Sequence, residues 1–316
     1  MIKKIVSIVI PAYNEEDVLD ELRKRLQAVM KECKDYDFEV IIVENGSCDR
    51  SYEMLKDTHG KDKRFKVLQL SRNFGCDGAI TAGLRYARGD AAVIMNADLQ
   101  DPPEMIPKFL AKWEEGSEIV YGVIKKRDGV PLVRRLGYKV FYRLISTLTN
   151  NIIPENVSDF RLIDRKVYET VNSMEERNKF LRGVIVWTGF KQAGIEYERP
   201  PRFAGESKAD MITVLKVAMN GIFSFSYFPL SLATILGFLV SGASFAVMLV
   251  ELGLFLVYGR VVPGYTTIVV IMLFLFGMLF FVLGIMGVYI SRVYDEVKQR
   301  PNFIVKNEIG FEKRGN

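Results

Sequence analysis

The chain has 316 residues, enough for one large domain or two modest ones, and its 43 Lys and Arg against 38 Asp and Glu leave a formal net charge of +5. So mild a basic balance suits anionic lipid or phosphate as readily as nucleic acid, and nothing else in the sequence asks for a nucleic-acid partner. One histidine, His59, and three cysteines without metal-type spacing (Cys33, Cys48, Cys76) exclude Ser-His-Asp chemistry and multi-histidine metal centres. The cysteines read as reduced thiols of a cytosolic domain, and His59, in the polar stretch 57–63, as a solvated loop residue.

The N-terminal apolar run is too short for a signal sequence, leads into Pro11 and has no small-residue cleavage site, so it is expected to be a cytosolic first strand. Lys4–Ile10, Phe38–Val43, Phe65–Leu70, Ala91–Met95 and Glu118–Gly122 are apolar runs of strand length. Helices are expected up to about Cys33, where Val18, Leu19, Leu22, Leu26 and Val29 recur at helical spacing, then from about Asp49, from Asp77 to Arg88, and after Pro103. Alternating strands and helices with short connections predict right-handed crossovers and a mostly parallel sheet, an α/β fold. Three strands end in polar or glycine-bearing loops: Pro11-Ala-Tyr-Asn-Glu-Glu, Glu44-Asn-Gly-Ser and Ser71-Arg-Asn-Phe-Gly. Such loops converge on one sheet edge and form a nucleotide-sized crevice.

The fourth strand stops in oxygen-bearing side chains, Asn96, Asp98, Gln100 and Asp101, before Pro102 and Pro103 open a helix. Hard oxygen donors at that place suit a divalent cation carrying phosphates. The same spacing suits a helix cap, and on spacing alone both readings stand.

From Lys125 to Asp164 the pattern changes: a basic cluster (Lys125, Lys126, Arg127, Arg134, Arg135), a helix expected over Leu132–Leu148, and a short strand in Val157-Ser-Asp-Phe-Arg-Leu-Ile-Asp-Arg. Arg199, Arg202 and Lys208 form a second basic group. Asp210–Phe228 has one wide apolar face at helical spacing, which fits a helix lying in a membrane interface or an ordinary core helix. Leu230 to about Val257 and Thr266 to about Ile290 are each long enough to cross a bilayer, and their short connection makes them a hairpin. Only Arg260 lies in that connection, whereas basic residues flank both outer ends, so the positive-inside rule puts both ends in the cytoplasm of a plasma (inner) membrane protein. Glu251 is expected to face another helix or the outer interface, and glycines such as Gly237 and Gly284 permit close packing within or between chains, a homo-oligomer included. The expected division is a catalytic domain over 1–209, an interfacial helix over 210–228, two spans within 229–291 and a cytosolic tail over 292–316.

At this point the motifs resemble a family. Val6-Ser-Ile-Val-Ile-Pro-Ala-Tyr-Asn-Glu-Glu resembles the opening of family 2 glycosyltransferases with the GT-A (Rossmann-like) fold. Val43-Glu-Asn-Gly-Ser-Cys-Asp is similar to their Asp-Asp-Gly-Ser-x-Asp motif, and Asn96-Ala-Asp-Leu-Gln-Asp-Pro-Pro to their Asp-x-Asp motif. Ser71-Arg-Asn-Phe-Gly, Asp159-Phe-Arg-Leu, Trp187-Thr-Gly-Phe and Arg202-Phe-Ala-Gly-Glu-Ser-Lys extend the likeness over nearly the whole chain. With its two-span tail the chain resembles the bactoprenol glucosyltransferase branch, akin to dolichol-phosphate mannose synthases.

The resemblance implies inverting transfer of a hexose from a nucleotide sugar, UDP-glucose by branch, to polyprenyl (undecaprenyl) phosphate in the membrane lipid. It implies Mg²⁺ or Mn²⁺ and the diphosphate at Asp98, Gln100 and Asn96, and base, ribose and donor contacts from Pro11, Tyr13, Glu15, Glu44 and Asn73. Arg127, Arg134, Arg161, Arg202, Ser207 and Lys208 would meet the acceptor and its phosphate. Asp98 and Asp159 would be catalytic, with Asp159 a general base by family analogy, or a residue that orients Arg161 or the acceptor, or simply the partner of a neighbouring arginine. Two departures stand out. Asn96 replaces the first carboxylate of Asp-x-Asp, so either metal affinity falls or Asp101 compensates, and Glu44-Asn45 replaces an Asp pair. A processive synthase is disfavoured because no Gln-x-x-Arg-Trp precedes Trp187; a mannose or other-sugar synthase and a catalytically weak membrane scaffold remain as alternatives.

Overall fold

Apolar β-branched runs become strands where both faces can be covered, and five of the runs above do so here. The computed structural model describes residues 3–125, 157–177, 179–201, 203, 228–258 and 264–312. Arg127, Arg134, Arg202, Ser207 and Lys208, the side chain of Glu251, the helix expected over Leu132–Leu148 and the interfacial helix up to Tyr227 lie outside the described residues.

The chain divides into two compact units, Met1–Gly221 with Arg300–Asn316, and Ile222–Gln299. In the first, β1 (Lys4–Ala12), α1 (Leu19–Glu32), β2 (Tyr36–Glu44), α2 (Ser51–Lys61), β3 (Phe65–Leu70), α3 (Gly75–Tyr86) and β4 (Ala91–Ile94) alternate as expected. A 3₁₀ turn at Pro103–Met105 leads into α4 (Ile106–Glu114), followed by β5 (Ile119–Ile124) and β6 (Val157–Asp164). Helices α5 (Arg165–Ser173) and α6 (Leu181–Trp187) then precede β7 (Gln192–Tyr197).

The sheet has eight strands in the order β7-β5-β6-β4-β1-β2-β3-β8, with β8 at Val305–Ile309. It is mixed but mostly parallel: β1 to β5 and β7 run one way, and β6 and β8 run against them. Strands β3, β2, β1 and β4 run parallel, but β6 enters between β4 and β5 antiparallel to both, and β8 runs antiparallel to β3. The residues after Lys298, expected as a tail, thus carry an edge strand. His59, expected in a loop, sits in the last turn of α2, half-buried, with Nδ1 2.7 Å from the Phe65 carbonyl.

The core lies on both faces of the sheet. Ile8, Ile10, Val40 and Ile42 pack with Leu22, Leu26 and Phe109 on one side, and Ile41, Val43, Leu68 and Leu70 with α3 on the other. Helix α3 comes unusually close at Gly83, where a Cβ would stand 2.3 Å from Val9 Cγ1. At Pro11 the parallel pairing of β1 with β4 has already ended, at Val9–Ile94, so the missing N–H removes no bond to that neighbour.

The second unit contains α7 (Phe228–Tyr258) and α8 (Tyr265–Lys298), which pack against each other. Each is long and apolar enough to cross a membrane, with mean hydropathy of 2.1 and 2.7 over the apolar spans Phe228–Leu254 and Val270–Lys298. Phe238, Leu256, Leu273 and Phe280 stand largely exposed, the mark of surfaces that face lipid or a partner.

Candidate active site

The carboxyl ends of β1, β2 and β4 meet at one sheet edge. Because β6 is antiparallel to β4, pairing Arg161 with Ile94, its first residues begin where β4 ends. That reversal places Ser158 and Asp159 beside the Asn96–Asp101 loop. Strand β7 runs parallel to β5, so it too finishes at this edge and delivers Tyr197 and Arg199.

The first wall is stitched from two loops. Asn14 and Glu15 N–H groups donate to Ser47 Oγ and Ser51 Oγ, each at 3.0 Å, and Cys48 N–H donates to Asn14 Oδ1 at 2.9 Å. Asn14 adopts φ +52°, a left-handed conformation asparagine tolerates. Gly46 has φ +75°, and a Cβ there would meet the Arg72 backbone at 2.6 Å, so glycine is required. Asn45 carries no ligand function that its geometry leaves free. Its amide donates to Asn73 Oδ1 (3.2 Å) and Gly75 O (3.0 Å) and accepts from Phe74 N–H (2.9 Å), binding the loop after β3 to the end of β2. Asn73 Oδ1 is likewise engaged, by Gly75 N–H at 2.8 Å.

Glu44 is 1% exposed. One oxygen accepts from Ser47 N–H, whereas Oε2 is buried without a hydrogen-bond partner among the described residues. Buried acceptors are normally satisfied, by protein, water or ligand, so this atom stands out among the described residues. Pro11 and Tyr13 flank it on the same loop edge and are half-buried.

On the second wall Asp101 is fully buried and its carboxylate is committed. Oδ2 accepts from Asn96 N–H (3.2 Å) and Nδ2 (3.1 Å), and Oδ1 from Ser158 Oγ (3.2 Å) and Tyr197 Oη (3.0 Å). Burial pushes this carboxyl up, against the pull of Arg199. Asp101 is thus a brace between β4, β6 and β7, with each oxygen already accepting two hydrogen bonds. Asp98 is buried and accepts from Gln100 N–H at 3.2 Å. Leu99, between them, is held at φ +58° with its side chain buried, a strain of about 1–3 kcal/mol that fixes the loop. Asp98, Asn96 and Gln100 offer hard oxygens but a single charge. Such a set suits a divalent ion whose remaining ligands come from a diphosphate, not a protein-only cage. Among the described residues no three metal-ligating His, Cys, Asp or Glu side chains cluster.

Asp159 is held by a residue the sequence reading did not single out. Arg182 of α6 grips its two oxygens at 2.8 and 2.7 Å. Burial pushes the Asp159 carboxyl up, but the charge and hydrogen bonds of Arg182, backed by Arg161 and Arg199, hold it down at about 2. Arg161, only 2% exposed, donates to the carbonyls of Ser158 (3.1 Å), Asp159 (3.3 Å) and Arg182 (3.5 Å). It therefore shapes the turn around Asp159 from within and does not reach out as a surface ligand would. Asp77, in the first turn of α3, accepts from Leu181 N–H; burial and the charge of Asp159 push its carboxyl up to about 6. Arg199 bears on both Asp101 and Asp159, and its Nε is buried without a partner among the described residues. Neither Asp77 nor Arg182 is marked by motif spacing, since Arg182 lies 23 residues beyond Asp159.

The edge thus joins a buried acceptor and a buried guanidinium N–H, both unpaired among the described residues, with a loop of oxygen donors. A sequence profile described as Glycosyl transferase family 2 matches residues 7–171. The uncharacterized glycosyltransferase YkcC of Bacillus subtilis is 44% identical over 98% of this chain and 95% of its own length. The bactoprenol glucosyl transferase of Shigella phage SfV is 37% identical over 96% of this chain and 98% of its own. Among solved structures, a glucosyl-3-phosphoglycerate synthase from Mycobacterium tuberculosis in complex with Mn²⁺, uridine diphosphate and phosphoglyceric acid matches with a TM-score of 0.50 at 15% identity, covering 68% of this chain and 75% of that one, a likeness of fold.

Proposed function

The chain belongs to glycosyl transferase family 2, and from that premise we propose a membrane-bound, inverting GT-A hexosyltransferase that moves glucose from UDP-glucose onto polyprenyl phosphate at the cytoplasmic face. The observation that carries this reading is the extent of the likeness to a bactoprenol glucosyl transferase, which takes in the sheet unit and the apolar helices alike.

Glu44 Oε2 would accept from an N–H of the nucleotide base, with Pro11, Tyr13, Glu15 and Asn73 around the nucleoside. Asp98, with the side-chain oxygens of Asn96 and Gln100, would hold Mg²⁺ or Mn²⁺ together with the diphosphate. Such an ion supplies positive charge where the leaving diphosphate gains negative charge. Arg199, with Arg127, Arg134, Arg202, Ser207 and Lys208, would meet phosphates of donor and acceptor. One acceptor phosphate oxygen bonds to the anomeric carbon as the bond from that carbon to the diphosphate breaks, releasing UDP. The acceptor monophosphate, with a second pKa of about 6, is mostly dianionic at neutral pH and needs no strong base. Asp159, held near 2 by Arg182, is a poor proton acceptor, which supports a positioning role: Arg182, Asp159 and Arg161 keep one shape at the acceptor end.

Both flanks of the helix pair belong to the sheet unit, β8 included, which supports two crossings with the sheet and both chain ends on one side. The test is a donor screen with the full chain, undecaprenyl phosphate, and Mg²⁺ or Mn²⁺, reading nucleotide release. Release of UDP from UDP-glucose should require both acceptor and metal, and Asp98→Ala should lose about 10²-fold or more. Turnover with GDP-mannose alone selects the mannose reading, and no turnover with any donor selects the scaffold.

A further inference from the structure

The eight-stranded sheet ends at β8, which pairs with β3 on one side and with no strand on the other among the described residues. An edge strand leaves a row of backbone N–H and C=O groups open to a further strand. Proteins blunt such edges with short strands, bulges and lysines. Strand β8 has all three: five residues, a register shift opposite Gln69 and Leu70, and the exposed Lys306. An edge lysine turns most strands away, but its effect depends on what the incoming strand sets opposite it.

The sequence of β8, Val-Lys-Asn-Glu-Ile, carries opposite charges symmetrically about Asn307. Lys306, Asn307 and Glu308 are all exposed. Lys306 and Glu308 are two residues apart and so share a sheet face, the one on which Tyr86 Oη donates to Glu308. Two copies of β8 meeting edge to edge in antiparallel sense are related by a two-fold axis. Each residue keeps its sheet face under that axis, and residues directly opposite share a face, so the pairing has to be centred on one residue. Centred on Lys306, it sets lysine against lysine; centred on Glu308, it sets glutamate against glutamate. Centred on Asn307, it sets Lys306 against Glu308 on both sides of a neutral amide pair. Opposite charges directly across a ladder stabilise it, and like charges oppose it.

We propose that the outer edge of β8 is a docking surface for a second copy of this chain, paired antiparallel about Asn307, so that the two sheets run on into one another. Charge selects this occupant: a second copy answers both the lysine and the glutamate, in one register. The assignment rests on the sheet unit alone and is independent of the transfer reaction, and its test uses no sugar donor.

The full chain, with its three native cysteines replaced, is expressed in membranes carrying Asn307→Cys and oxidised with copper phenanthroline. Residues directly opposite in an antiparallel pair have Cα atoms roughly 4.5–5.5 Å apart, within disulfide reach. Asn307→Cys should give a reducible dimer, whereas a control chain that keeps only Cys48, exposed on the same unit, should not. Adding Lys306→Glu should cut the dimer about tenfold, because glutamate then faces glutamate in both pairs. Adding Lys306→Glu together with Glu308→Lys should restore it to within about twofold. Glu308→Lys gives up the bond from Tyr86, so if the reversed chain fails to fold, Lys306→Glu, at an exposed side chain, decides the matter. Cross-linking no greater than in the Cys48 control, or a yield unchanged by Lys306→Glu, overturns the proposal. So does a folded reversed chain that fails to restore the dimer, or an Asn307→Cys chain that cross-links to a different protein in place of a second copy.

Discussion

Arg182 and Asp159 form an ion pair with two short hydrogen bonds, and Asp77 lies near enough to feel its charge. Removing the arginine leaves burial as the dominant influence on Asp159. In Arg182→Gln the Asp159 carboxyl should therefore rise, and the acid limb of the kcat/KM profile should move to higher pH while wild type stays flat through the range 5–7 as far as Asp159 is concerned. A profile unchanged in the variant would show that Asp159 does not influence the reaction. Asp77 has the opposite sign. Its folded-state value, about 6, lies above the ordinary carboxyl value of 3.8, so the stability it contributes is present below about pH 4 and is lost as pH rises through 6. Asp77→Asn should raise the thermal midpoint above pH 6 relative to wild type and leave it little changed near pH 4. These residues show where sequence reading stopped. Asp98, Glu44 and Asp159 sit in motifs whose polar letters interrupt apolar strands, so their place at the edge was legible. Arg182 was not, because its contact with Asp159 depends on how α6 packs. The four hydrogen bonds that Asp101 accepts were not legible either, because two of the donors, Ser158 and Tyr197, come from strands far along the chain.

The five early strands were readable because buried parallel strands are continuous apolar runs and their helices repeat at 3.6 residues. The order of strands was not. Nothing local in Val157–Asp164 says that it enters between β4 and β5 and runs against both, yet that insertion brings Asp159 to the carboxyl edge. Strand β8 was missed for a different reason: five residues with mostly exposed side chains carry little apolar signal. Its neighbours anchor it instead. Phe311 meets Tyr86 edge-on at 5.1 Å between ring centroids and lies under the Lys66 ammonium at 5.5 Å. Phe311→Ala should cost about 1–2 kcal/mol, measured as a fall in unfolding free energy, with the loss expressed at this sheet edge by faster hydrogen exchange in β3.

At the scale of the whole molecule, the sheet unit claims residues on both sides of α7 and α8. If both helices cross a membrane, as proposed above, their short connection lies on the far side from the segments that flank them. With the native cysteines replaced, Arg260→Cys should react with a membrane-impermeant maleimide from outside intact cells, whereas a second variant that keeps Cys48, exposed on the sheet unit, as its one cysteine should react only after permeabilisation. Reaction of both sites from the same side would overturn the two-crossing arrangement.

The pairing of β3 with β8 also has a consequence for biosynthesis. Leu70 pairs with Val305, so the outer edge of β3 stays open while roughly 235 residues are made, on the order of 10–50 s at ~5–20 residues per second. Both apolar helices are synthesised within that interval. An open strand edge is a template for pairing with other chains. The last strand of the sheet can close it only after the helices have been synthesised, so a nascent chain delayed at the membrane is also a chain with an unguarded sheet.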